Sequence, residues 1–159
     1  MASNLFFHLT GGASNTDPDL SLGGVGSSEV LNTTALNNLF DNVKPTEIAV
    51  GQLIEYRAID ISNDGDAEAH NIEFYLTDTP NSESTLAIWY DATGTQSIPN
   101  ETTEPTGASG NWELPLVGSK KAFSDLAVSG TYRIWVRRTI DQDAENINED
   151  TGTLHVWFS

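Results

Sequence analysis

The chain has no cysteine, one methionine and only seven basic residues among 159. Without cysteine it has neither a disulfide framework nor a thiolate zinc site. Those seven cations face 23 carboxylates, for a formal net charge of −16. Non-specific nucleic-acid binding needs Lys and Arg to neutralise phosphates, so this balance argues against it. An anionic membrane surface is disfavoured for the same reason. Long apolar runs are missing too. Leu5-Phe6-Phe7, the one apolar patch in the first ten residues, is too short for a signal segment or a membrane span.

Catalytic motifs are equally scarce. His8, His70 and His155 show neither His-x-x-x-His nor His-x-His spacing for a metal. Gly-x-Ser-x-Gly and a Gly-rich loop ending in Gly-Lys-Ser do not occur. Among so many acids, chance carboxylate pairs are expected, and a glycosidase pair requires a measured separation. Asp64, Asp66 and Glu68 alternate, and Asp141, Asp143, Glu145, Glu149 and Asp150 crowd one loop. Neither segment fits the twelve-residue calcium loop, because Gly65 comes too early and position 75 is Tyr. Both are expected to be solvated loop tips. The reading therefore assigns no enzyme activity, no catalytic residue, no cofactor and no metal ligand. Asn32-Thr33-Thr34 and Asn100-Glu101-Thr102 are glycosylation sequons, uninformative without a signal segment.

What the chain does have is strand pattern. The stretch from Leu53 to Leu76 reads as strand, Asn63-Asp64-Gly65-Asp66 turn, strand. Ile72, Phe74 and Leu76 alternate against Asn71, Glu73 and Tyr75, the period of a half-buried strand. Further strands are expected at Thr85–Tyr90, Trp112–Val117, Thr131–Ile140 and Thr153–Phe158. Pro115 assigns Trp112–Val117 to an edge. Asp91–Gly110 reads as loop, and Leu31–Phe40 as a short helix or an edge strand. About seven strands at this spacing point to one all-β domain, an Ig-like antiparallel β-sandwich. Its expected core is Tyr56, Ile59, Ile72, Phe74, Leu76, Ile88, Ile134, Val136 and Val156.

Residues 1–30 are rich in Gly, Asn and Asp-Pro punctuation, yet too apolar for a disordered tail. They read as an extended N-terminal arm, with residues 31–159 forming the sandwich. Phe6, Phe7, Leu20 and Leu22 then need a surface, and a neighbouring subunit is the expected one. In the last two strands Arg133, Trp135 and Arg137 share one face, as do His155 and Trp157. If these strands pair, Trp135 lies across from Trp157. Trp and Arg are enriched at interfaces, so Arg133, Trp135, Arg137 and Trp157 join the arm as candidate interface residues; the equal alternative is that one or both Trp rings are covered by the N-terminal arm or by a loop. Arg133, Arg137 and Arg138, all on one strand, are expected to meet carboxylates.

Four segments carry a resemblance: FHLTGGASNTDPDLSLGG, TALNNLFDNV, EYRAIDISN and IWVRRTIDQDAENINEDTGTLHV. In this order they resemble a family of tailed-bacteriophage virion structural proteins. The resemblance implies a virion component with no catalytic residues to carry over. Within the virion, the expected role is a decoration or cement protein on the outer surface of the head, stabilising the shell by binding across adjacent capsomers, because a single small domain with an arm and no enzymatic site suits many repeated copies on a shell. The partners would be the major capsid protein or other virion proteins, in a homo-oligomer or symmetric array, with no nucleic acid and no membrane. A neck, tail or baseplate component is the nearest alternative. A carbohydrate-binding adhesion module using Trp89, Trp112, Trp135 or Trp157 is the alternative of another class.

Overall fold

A computed structural model describes residues 2–31, 39–41, 43, 45–48, 51–78, 83–142, 144 and 152–159. The chain is an all-β antiparallel sandwich, as its spacing of strands led one to expect. Among the described residues there are eight strands: β1 Leu5–Thr10, β2 Gly26–Leu31, β3 Leu53–Asn63, β4 Glu73–Asp78, β5 Ser84–Asp91, β6 Lys121–Ala122, β7 Thr131–Ile140 and β8 Gly152–Trp157. A single helical turn, α1, spans Pro45–Ile48. One sheet has the order β2-β1-β3-β7-β5, the other β6-β4-β8.

β3 and β7 form the middle of the molecule, paired from Leu53↔Ile140 to Ser62↔Thr131. Alternation sends Ile59, Ile61, Tyr132, Ile134 and Val136 to one face. There they meet Ile72, Phe74 and Leu76 from the smaller sheet in the main core. Eight of the nine expected core residues are buried, and Val156 is partly buried against the same cluster. Tyr56, however, faces the opposite way, into a second cluster with Ala58, Ile98 and Trp135.

That second cluster explains why β3 and β7 read as nearly continuous apolar runs. Their sheet is covered on both faces, by the smaller sheet on one side and by loops on the other. The covering loops are 11–24 and 91–112, which pair with each other. Gly24 donates to the Gln96 carbonyl at 2.8 Å and Ile98 to the Leu22 carbonyl at 3.0 Å. Gly23 lies over Trp135 with φ +86°, and a Cβ there would stand 2.1 Å from the Gln96 carbonyl oxygen and 2.8 Å from the indole. Only glycine accepts both that backbone conformation and that approach.

Four expectations need correction. Residues 1–30 are not an arm: β1 lies between β2 and β3 and pairs with β3 from Leu5↔Asn63 to Leu9↔Ile59. The division at residue 30 therefore cuts through one sheet. Phe7 packs on the main core and Leu22 on the second, so their surface is this chain's own. Second, β7 and β8 do not pair, because both edges of β7 are taken, by β3 and β5, while β8 adds to β4. Third, β3 and β4 sit in different sheets, and the Asn63–Ile72 connection crosses between them. Fourth, Trp112–Val117 is not a strand. Glu113 makes one reciprocal bridge to Ile88, and the Pro115 carbonyl accepts from Leu76 N–H at 2.8 Å. This segment laces β5 of one sheet to β4 of the other. Most of Leu31–Phe40 lies outside the described residues.

Asn63 holds the crossing connection. Its Oδ1 accepts from Asn4 and Gly65 N–H, and its Nδ2 donates to the Ala67 and Leu126 carbonyls. A buried amide thereby uses both acceptor positions and both donors.

Candidate functional site: the outer face of the small sheet

The eight sequence-selected interface residues scatter. Trp135 is fully buried. Arg133, 4% exposed, pairs with Asp60 through Nε and, at 2.9 Å, through Nη2, which also donates to the Gly24 carbonyl at 2.9 Å. Arg137 lies over the Trp112 ring, 5.0 Å from its centroid. The expectation that these arginines meet carboxylates holds for Arg133 and for Arg138, which grips Glu55 across the strand pair. Arg57 reaches Glu101 and Asp19 around the β3 edge. These are bonds inside the fold. Phe6 and Phe7 are half-buried in β1, and Leu22 is half-buried. Leu20, 56% exposed, is the last residue of a short 3-10 turn, Pro18–Leu20, in the loop layer. Trp157, 51% exposed, is on the other sheet.

Trp157 does not stand alone. On β4 and β8 the inward positions are Phe74, Leu76, Leu154 and Val156, packed in the main core. Alternation then turns Glu73, Tyr75, Thr77, His155 and Trp157 outward. The register sets Glu73 opposite Trp157 and Tyr75 opposite His155. Tyr75 and His155 stack at 4.4 Å with their planes 4° apart. Thr77 Oγ1 is 2.8 Å from His155 Nε2, which orients the imidazole. Lys120, from the turn before β6, places its ammonium 5.8 Å from the centroids of both Tyr75 and Trp157. It donates to Glu73 at 2.9 Å.

The result is an aromatic face with a polar rim: Trp157, the Tyr75–His155 stack, and the Lys120–Glu73 pair. Among the described residues, nothing covers it. A half-exposed indole beside a cation and a stacked imidazole can bury flat apolar surface and add directional hydrogen bonds at the edge. Sequence reasoning placed His155 and Trp157 on a common face correctly but missed Tyr75 and Lys120. Alternation puts Tyr75 on the outward side of β4, but only the register with β8 sets it against His155.

The other two histidines are apart from this face. His8 is buried in β1, where its Nδ1 is 3.1 Å from the Glu29 carbonyl and so must donate. Its Nε2 lies 2.8 Å from Ser62 Oγ. Both ring nitrogens are satisfied within the sheet. His70 lies in the crossing connection.

Compared with known proteins, the chain matches no family model, and no curated protein is significantly similar to it.

Proposed function

We propose that the protein is a non-enzymatic structural component of a bacteriophage virion, a decoration protein bound to the outer surface of the head across adjacent capsomers. The observation that carries the binding mode is the half-exposed Trp157 on a sheet face that no described residue covers. Interfaces concentrate their energy in aromatic anchors, and truncating one commonly costs ~2 kcal/mol or more of binding. Trp157 with Tyr75 is such an anchor, and Lys120 lends the face a cation that the rest of this acidic chain seldom offers. The virion assignment itself rests on the resemblance of the four sequence segments. The −16 charge fits it, since an acidic surface is soluble and does not adhere to packaged DNA.

The test is to add purified Trp157→Ser protein to particles lacking the native copy. Trp157 is exposed, so the melting temperature should stay close to that of the unmodified chain. Occupancy on heads should fall at least tenfold. Full occupancy would sink the proposed face. Binding to isolated glycans with no binding to particles would favour the adhesion reading. Quantitative mass spectrometry of intact particles separates a shell component, present in many copies, from a neck or baseplate ring.

A further inference from the structure

The connection from β3 to β4 runs beside the segment that leads into β7. Ala69 and Leu126 exchange both backbone hydrogen bonds at 2.9 Å, and both side chains are buried. In such a bridge the neighbours of an inward residue point outward. Glu68 and His70 flank Ala69, and Asp125 precedes Leu126, so three outward side chains surround one bridge. His70 is held from its other side too: its backbone exchanges both hydrogen bonds with Ser159, at 2.9 and 3.0 Å. The imidazole is therefore mounted between two neighbouring segments.

Its Nδ1 lies 2.7 Å from Asp125 Oδ2 and its Nε2 3.9 Å from Glu68 Oε2. One donor atom from each of the three residues falls within 4.8 Å of the others. We propose that Glu68, His70 and Asp125 form a surface site for a divalent transition-metal ion of the zinc type, which clips the β3–β4 connection to the approach of β7. The imidazole decides the ion class. Oxygen-only sets suit calcium and magnesium, whereas a nitrogen with two carboxylates suits zinc, nickel or cobalt.

The geometry lies within reach. Zinc takes imidazole nitrogen at about 2.0–2.1 Å and carboxylate oxygen at about 2.0–2.2 Å, so tetrahedral ligand atoms sit roughly 3.3 Å apart. Asp125 must withdraw by about half an ångström from its present contact for that spacing. Glu68 must turn its carboxylate toward Nδ1. All three side chains are about half exposed, so both movements cost only side-chain rotations. Three protein ligands leave the fourth position to water or to a group from a partner. The ion would replace the His70–Asp125 hydrogen bond with a stronger cross-link between segments 55 residues apart in the chain. Glu68 ends the Asp64–Glu68 acidic stretch, which by itself is expected to bind no calcium; the imidazole of His70 and the carboxylate of Asp125 are what give it a transition-metal donor set.

The experiment uses the full chain after chelator treatment, titrated with zinc chloride while heat release and melting temperature are followed. One ion per chain should bind, and each tenfold rise in zinc above the dissociation constant should raise the melting temperature further. His70→Gln and Asp125→Asn should each lower the affinity by at least the 10–100-fold that loss of a mere supporting contact costs. Calcium at equal concentration should produce no rise. The His70 ring resonances should move on zinc addition, which reads the site directly if a variant folds poorly. No thermal shift and no ring shift in the unmodified chain would overturn the site. Undiminished binding by His70→Gln would overturn it as well, by moving the ion elsewhere.

Discussion

Asp60 and Arg133 stand directly opposite each other in the β3–β7 pair, on the face covered by loops. Both are buried, at 7% and 4% exposure, and Gly26 is packed so closely that a Cβ there would lie 2.3 Å from Asp60 Oδ2. Consider Asp60→Asn. The size is kept and the charge is lost, leaving the Arg133 guanidinium buried with the Gly24 carbonyl and a neutral amide. Removing one partner of a buried pair costs ~3–5 kcal/mol. The lower end applies here, because Asn still accepts a hydrogen bond. For a domain of this size ~3 kcal/mol corresponds to a fall of roughly 6–12 °C in melting temperature. It is also a large share of a total stability of about 5–15 kcal/mol. The double variant Asp60→Val with Arg133→Met removes both charges and should recover most of the loss. Arg133 Nη1 is already buried without a hydrogen-bond partner among the described residues, so the native pair is only partly compensated, and an apolar replacement competes well with such a pair. Urea unfolding followed by tryptophan fluorescence measures all of these. A loss under ~1 kcal/mol for Asp60→Asn at unchanged m value would refute the burial of the pair. A double variant no more stable than the single would refute the electrostatic cause.

Deleting residues 2–10 should unfold the protein, because β1 is an interior strand bonded to both β2 and β3. A truncated chain that keeps dispersed amide resonances would show that the sheet stands without it. Asp91 supplies an acid-limb prediction. Burial pushes its carboxyl up, but hydrogen bonds from Thr93, Gln96 and Gly94 outweigh this and hold it below its ordinary value of 3.8. A folded-state value that is depressed means the charged form favours the fold. That contribution is complete above about pH 4 and disappears as pH falls through the lowered value. Asp91→Asn should therefore be less stable at neutral pH, with the gap to the native chain narrowing below about pH 4. A gap that widens in acid would reverse the assignment.

Some of this architecture was written plainly along the chain. Ile72, Phe74 and Leu76 declare the inward face of β4, because period two is a local consequence of the pleat and one side of that strand meets water. Ile134 and Val136 do the same for β7, and the Gly- and Pro-marked spacing declares an all-β sandwich. Periodicity names a face, however, and never a partner. Trp135 and Trp157 occupy similar places in similar strands, yet one is sealed under Gly23 and the other is half exposed. The difference lies in which sheet each strand joins and in what covers that sheet, and both depend on contacts distant in sequence. The glycine-rich opening looked like a path across a neighbour. It is instead β1, β2 and the cover of the second core, where positive φ and contact with Trp135 require glycine. Glu55 and Asp60 precede Arg133 and Arg138 by more than seventy residues, and only the register of β3 against β7 makes them two cross-strand pairs, one on each face. Composition and local alternation determined the class of fold and most of its core. Alternation alone puts His155 with Trp157 and Glu68 with His70, but Tyr75, Lys120 and Asp125 join them only through tertiary structure, since pairing between segments distant in sequence brings them there and no short-range spacing encodes it.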